Sequence, residues 1–297
     1  MKNKDTEMED FFSHGHKIPD QFFMELDNIL LPVCNQSFET LGTIITKFIA
    51  NEFGAKVKLL HNGRRNIEHL ATRFKEYNVK TEIKTTLNLN TAQTIIQEAK
   101  NDYQLLIMPS RRRSKLLDRF LVNSVSSKVI PKVKYDTLQI YPKKEEFVGD
   151  EEELPEFKHI AVLLPRTERD FRLLFFANAL LVKKEGELHV YHISDVPAIT
   201  PLKQALDSDL IMKERQKFYS LVKGYSKLFS TKIIPHFILG YNVKKAAAMT
   251  INENNPDLVI MGQSKLKSRF ILSRTLSEHL LDKTKVPILV HHYPEKK

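Results

Sequence analysis

Tryptophan is absent from the 297 residues, cysteine occurs once (Cys34), and glycine only nine times. Each shortage excludes something. A single cysteine leaves no internal disulfide and no cysteine-built zinc site, and a chain without disulfides fits the reducing cytoplasm. No uninterrupted apolar run approaches the ~20 residues that a membrane-spanning helix needs. The opening MKNKDTEMEDFFSHGHK is charged and has no hydrophobic centre, so it does not read as a secretory signal. The chain also lacks a G-x-x-x-x-G-K-[ST] loop, a G-x-S-x-G elbow and an H-E-x-x-H helix, so no catalytic residue is expected.

What is present is a globular composition, 42% hydrophobic and 28% charged, with 46 Lys+Arg against 36 Asp+Glu for a net charge of +10. Such a balance leaves two readings open: a lysine-rich solvated surface, or affinity for anions such as nucleotides, nucleic acid or lipid headgroups. Nucleic acid is the weaker of these. No RNA-recognition or helix-turn-helix signature occurs, and arginines and aromatics are not interleaved along one element. The histidine pairs do not suggest a metal. His189 and His192 are three apart on a strand and face opposite sides, and adjacent His291 and His292 diverge as well. Cys34 reads either as a redox-sensitive thiol or as an ordinary buried cysteine.

The run DLVIMGQSKLKSRFILSRTLSEHLLDKTKVPILVHH, residues 257–292, organises the rest. An apolar strand (Leu258 to Met261) breaks at Gly262, a basic loop follows, then a helix over 272–281 and a second apolar strand. Continuous apolar runs separated by helices are the mark of buried parallel strands. Earlier in the chain the same alternation occurs twice. Strands are expected at 28–33, 57–60, 79–85, 105–108 and 137–141, and again from 159 onward. Helices fall between them, one capped by Ser37 and closed by Gly54, another running unbroken over 202–229.

The second series repeats the first. ILLPV at Ile29 matches IAVLLP at Ile160, and His61 matches His192, both 131 residues on. LLIM at Leu105 matches LVIM at Leu258, 153 residues on. The expected architecture is α/β: two tandem doubly wound, Rossmann-like or flavodoxin-like domains, each with a five-stranded parallel sheet. Their bounds are 28–142 and 158–297, after an N-terminal arm at 1–27 and with an acidic linker, KKEEFVGDEEELPEF, at 143–157.

A strand ending in Met261-Gly262, a basic loop, a helix opening Leu276-Ser277-Glu278 and then Val286-Pro287-Ile288-Leu289-Val290 resembles the universal stress protein family. LLIMPSRRRSKLLDRFLVNSVSSKV in the first copy agrees. The resemblance implies a tandem member whose fifth strands, from Thr137 and from Pro287, pair within one chain as an internal pseudo-dimer, with a homodimer through the same edges as a further option. It also implies a stress-response role and an adenine nucleotide, ATP in many members, as ligand. There, an aspartate at the first strand's tip meets the nucleotide and a G-x-x-G…G-[ST] loop wraps the phosphates.

This chain departs from that pattern. Cys34 and Pro165 stand at the aspartate positions, Pro109 and Arg112 at the first copy's glycines, and Lys265 at the second copy's second glycine. Gly262, Thr275 and Ser124 carry over. Proline removes a backbone donor, and a side chain at a glycine position keeps N–H groups away from phosphate. Charged side chains can substitute: Arg111, Arg112, Arg113 and Lys115 in one loop, Lys265, Lys267, Arg269 and Arg274 in the other. The same residues read equally as solvated loop charges. The anion candidates are therefore Gly262, Lys265, Thr275, Arg112 and Ser124. The expected function is non-enzymatic stress regulation through an unidentified protein partner or a small anionic ligand. The alternative is a nucleotide-sensing module beside a membrane transporter.

Overall fold

The computed structural model describes residues 25–34, 39–111, 124–143, 156–164, 170–181, 185–264 and 275–293. They gather into two compact units, one from Glu25–Pro155 with Met261–Lys297, the other from Glu156–Ile260. The expected N-terminal arm and acidic linker lie outside the described residues except at their ends.

In the first unit the elements are β1 (Asn28–Val33), α1 (Thr40–Phe53), β2 (Lys56–Asn62), α2 (Glu68–Lys75), β3 (Thr81–Thr86), α3 (Thr91–Glu98), β4 (Leu105–Pro109), α4 (Val125–Val129) and β5 (Asp136–Tyr141). The sheet order is β3-β2-β1-β4-β5, and every neighbour pair in it is parallel. Ile29, Leu30 and Leu31 are fully buried, as are Leu105, Leu106 and Ile107. Strands covered on both faces by helices need apolar residues at consecutive positions, which is why these runs do not alternate. Leu30, Leu60, Leu106 and Met108 pack against Ala92 and Ile95 of α3 and Val129 of α4, each such side chain contributing about 1.5–3 kcal/mol on burial. Helix α1 ends as the sequence suggests: Gly54 takes φ 68° and its N–H closes on the carbonyls of Ala50 and Asn51. Its start differs, with Glu39 at the cap and no side-chain bond there, while Ser37 lies outside the described residues.

The same unit includes β10 (Ile288–Tyr293), preceded by α9 (Leu276–Lys283). Strand β10 pairs antiparallel with β5, with Leu289 opposite Ile140 and His291 opposite Leu138. The expected pairing of the two fifth strands is thus present within one chain. Two buried side-chain contacts cross it. His291 Nε2 lies 3.0 Å from Asp136 Oδ1, and His292 Nε2 lies 3.0 Å from Gln139 Oε1.

The second unit holds β6 (His159–Leu163), α5 (Asp170–Leu180), β7 (Glu187–Asp195), α6 (Leu202–Leu206), α7 (Asp209–Ser226), β8 (Lys232–Gly240), α8 (Val243–Asn254) and the first residues of β9 (Leu258–Ser264). Its strand order is β9-β6-β7-β8, with β6–β7 and β7–β8 parallel. Both series are therefore doubly wound α/β. The unbroken helix expected over 202–229 is two helices. Ser208 interrupts it by leaving the helical conformation (ψ 137°) and accepting a hydrogen bond from the Ile211 N–H, the capping chemistry that makes serine poor inside helices. Among the described residues no helix is long and apolar enough to cross a membrane.

Candidate functional site

In an open parallel sheet, ligands bind beyond the carboxyl ends of the strands where the strand order reverses. In the first unit that point lies between β1 and β4. Chain leaves β1 at Val33, and the next residue, Cys34, is exposed rather than buried because it has already passed the strand end. Its N–H donates to both carboxylate oxygens of Glu39, at 2.7 and 2.9 Å. The Cys34 thiol is pushed up to about 12, chiefly by desolvation and then by the Glu39 carboxylate, against the opposing pull of Arg111 and Arg65.

Beside it, at the end of β2, His61 donates from Nδ1 to the Val33 carbonyl at 3.0 Å. That fixes the ring and leaves Nε2 without a hydrogen-bond partner among the described residues. Where β4 ends, Pro109 occupies the first-glycine position. A Cβ added to Gly42 of α1 would sit 2.6 Å from Pro109 Cγ, so the proline ring lies directly on the helix backbone. The next residue, Ser110, accepts from Gln139 Nε2 at 3.0 Å, and its N–H donates to Ile140. Ser124 caps α4 by accepting from the Ser127 N–H at 3.1 Å, and its hydroxyl lies 3.3 Å from that of Ser126. Arg112 lies outside the described residues.

The residues 261–293 of this unit carry three more candidates. Gly262 lies within β9 and takes no positive φ. A Cβ there would meet the Tyr293 hydroxyl at 2.2 Å and its ring carbons at 2.6 and 2.7 Å. The glycine is required by that contact. Thr275 caps α9 in a full capping box, accepting from the Glu278 N–H at 3.3 Å while its own N–H donates to Glu278 Oε2 at 2.7 Å. A hydroxyl chain, Thr275 to Ser277 at 3.0 Å and Ser277 to Gln263 Oε1 at 2.6 Å, ties the helix start to the end of β9. The structure thus joins Thr275 to the residue after Gly262, while Lys265 lies outside the described residues.

The second unit has its own strand-tip cluster. His192 of β7 sits with Nδ1 3.2 Å from the Leu164 carbonyl, the same bond over the same 28-residue separation as His61 to Val33. Here, however, Nε2 is met at 3.0 Å by Glu214 Oε1 from α7, and Ser194 donates to Glu214 Oε2 at 2.7 Å. Pro165 lies outside the described residues. His189, on the opposite face of β7, contacts His236 instead, with nitrogens 3.0 Å apart. Among the described residues no group of three or more metal-ligating side chains converges.

A sequence profile described as the universal stress protein family matches residues 49–140 and again 156–292. The chain belongs to the universal stress protein family. It carries the family's domain twice, in tandem, and family membership makes it a stress-response protein. Among solved structures it is similar to a universal stress protein of Archaeoglobus fulgidus (19% identity, TM-score 0.55, covering 93% of this chain and 100% of that one). It is also similar to a functionally unknown protein of Pseudomonas aeruginosa (15% identity, TM-score 0.61, covering 91% and 93%). At these identities the likeness establishes the fold alone. No curated protein matches.

Within this universal stress protein, the histidine at each second-strand tip served in the sequence only to mark the repeat. Its position beside the β1 and β6 ends makes it part of the site as well. Glu39 and Glu214 carried no signal in the sequence. One lies directly before a helix and the other in the middle of one, where a charged residue is ordinarily solvated.

Proposed function

We propose that this universal stress protein is a non-enzymatic regulator that acts through a protein partner or a small anionic ligand, and that it does not hold ATP in the family manner. One observation carries the reading. At the first glycine position of each loop, where phosphate would need open backbone, the chain's own side chains are seated: the Pro109 ring packs against Gly42, and the Tyr293 ring packs against Gly262. A ligand phosphate would have to displace buried packing to reach those atoms, and close-packed interiors yield only at a cost.

Anion binding, where it occurs, then depends on side-chain charge. Arg112 and Lys265 supply the cations, while Gly262, Ser124 and Thr275 mark the strand and helix ends they would work beside. This reading takes 28–142 and 158–297 as the two duplicated domains, with the β5–β10 pairing as their internal pseudo-dimer and the cytoplasm as the location. Homodimerisation through remaining edges belongs to the same proposal. Native mass spectrometry of the purified chain tests it. The expected spectrum shows the apoprotein mass. A retained adenine nucleotide would overturn the reading in favour of the nucleotide-sensing alternative, a module serving a membrane transporter.

A further inference from the structure

Away from the strand-end crevices, the second unit gathers titratable side chains on one face of β6, β7 and β8. His189 Nδ1 of β7 lies 3.0 Å from His236 Nε2 of β8. The two rings are within 9° of parallel with centroids 5.2 Å apart, so the nitrogens meet edge to edge. The other His189 nitrogen, Nε2, is buried, makes no hydrogen bond among the described residues, and sits 3.4 Å from Glu187 Oε2. Lys232, paired with Glu187 across the same two strands, keeps that carboxyl below the usual carboxylate range. His236 stacks on the Tyr191 ring at a centroid distance of 4.5 Å, and the exposed His159 of β6 has its ring 5.7 Å from that of His189. Helix α8 packs on β7 and β8, and its buried residues, Ala247, Ala248, Thr250 and Ile251, bring no titratable group. Helix α7 lies against the opposite face, where Glu214 meets His192.

The first unit solves the same place differently. Lys58 precedes His189 by the 131 residues that separate His61 from His192, and Lys84 lies opposite Leu60 as His236 lies opposite Tyr191. Glu98 of α3 joins those lysines, 2.6 Å from Lys84 and 3.7 Å from Lys58. Lysine and a paired carboxylate keep their charges throughout the neutral range. In the second unit histidines stand at both lysine positions, and the buried residues of α8 offer no carboxylate.

The geometry admits one extra proton and resists a second. With one, His189 donates from both nitrogens, to His236 Nε2 and toward Glu187. With two, hydrogens would face each other across 3.0 Å and two like charges would share a half-buried site. Burial and then the His189 charge accordingly hold His236 below the ordinary histidine range.

We propose that His189 and His236 form a one-proton switch that fastens β8 to the second unit at neutral pH and loosens it in acid. Strand β8 ends the order β9-β6-β7-β8 and has a ladder on one side only, to β7, so it is the strand such a contact can release. Once β8 has opened, both rings protonate near the ordinary value of ~6.5. The open state then binds more protons than the closed one, so the closed state loses stability as pH falls below that value and keeps it above. This goes beyond the reading above and does not depend on it: His189 lies near the amino end of β7, whereas the crevices lie beyond the carboxyl ends.

Hydrogen exchange of the intact chain, read by mass spectrometry on β8 and β3 peptides, tests the switch. Protection of β8, corrected for the intrinsic pH dependence of exchange, should fall about tenfold between pH 7.5 and 5.5, while that of β3 holds. His236→Gln and, separately, His189→Gln keep a hydrogen-bonding side chain and remove the second proton site, so each should flatten the β8 profile. The wild-type comparison of β8 with β3 stands even where a variant does not fold. The same pH dependence in β8 and β3, or a slope in β8 that survives in either folded variant, would overturn the proposal.

Discussion

Replacing Gly262 by alanine adds one methyl group at a point where the structure has no room for it. The new Cβ would stand 2.2 Å from the Tyr293 hydroxyl and 2.6 and 2.7 Å from two ring carbons, against an ordinary carbon contact of about 3.5–4.0 Å. The ring would have to retreat by roughly 1 Å to restore that spacing. It is poorly placed to do so. Tyr293 is 4% exposed, its ring centroid lies 4.5 Å from that of His291, and β10 is bonded along its length to β5. Overpacking of this kind costs about 1–3 kcal/mol. In a unit of this size that lowers the melting temperature by roughly 2–12 °C. Urea unfolding of Gly262→Ala, Tyr293→Leu and the double variant gives the coupling directly. With the ring gone, the added methyl should cost under ~0.5 kcal/mol, so the two changes are strongly non-additive. A neutral Gly262→Ala, or additive effects in the double variant, would refute the account. The glycine would then be spare backbone, free for a ligand.

Other consequences are open to measurement. With its thiol near 12, Cys34 has a thiolate fraction on the order of 10⁻⁴ at pH 8, against ~0.2 for an ordinary thiol. Although exposed, it should therefore react with iodoacetamide far more slowly than free cysteine, and Glu39→Gln should speed it. His291→Ala removes the buried contact to Asp136 across the β5–β10 pairing and should cost about 1–3 kcal/mol by urea unfolding, and a loss below ~0.5 kcal/mol would show that the contact is idle. Glu98 gives a pH signature. Burial works to raise its pKa, but hydrogen bonds from Lys84 at 2.6 Å and Tyr103 at 2.7 Å, with the charge of Lys58, outweigh burial and lower it. A lowered folded value means its contribution is fully present above the ordinary glutamate range of ~4.3 and is lost as pH falls through the folded value. Glu98→Gln should flatten the acid limb of the stability profile, and an unchanged limb would count against the ion cluster.

How much of this was legible beforehand follows from the range of each interaction. Strands such as Ile29 to Leu31 and Leu258 to Met261 announce themselves because burial on both faces dictates every residue in turn. The repeat was visible through His61 and His192, and both make the same bond to the preceding strand's end. The fifth-strand pairing followed from family resemblance, yet the partners that cross it, His291 with Asp136 and His292 with Gln139, lie more than 150 residues apart and leave no local pattern. Ser208 was missed as a break because its flanks, Leu206 and Leu210, keep a helical polarity. Gly262 stands out in the sequence by its isolation. The reason for it, Tyr293, becomes apparent only once β9 and β10 are folded. Pro109 shows the converse: its loss of a donor was plain in the sequence, whereas its packing on Gly42 was not.

Isothermal titration of the intact chain with magnesium–ATP, at fixed ionic strength and up to millimolar nucleotide, measures most directly whether the strand-end crevices are filled by the protein's own side chains. The account predicts no saturable heat. A saturable isotherm of one site or two, in the micromolar range and unchanged by added salt, would contradict it.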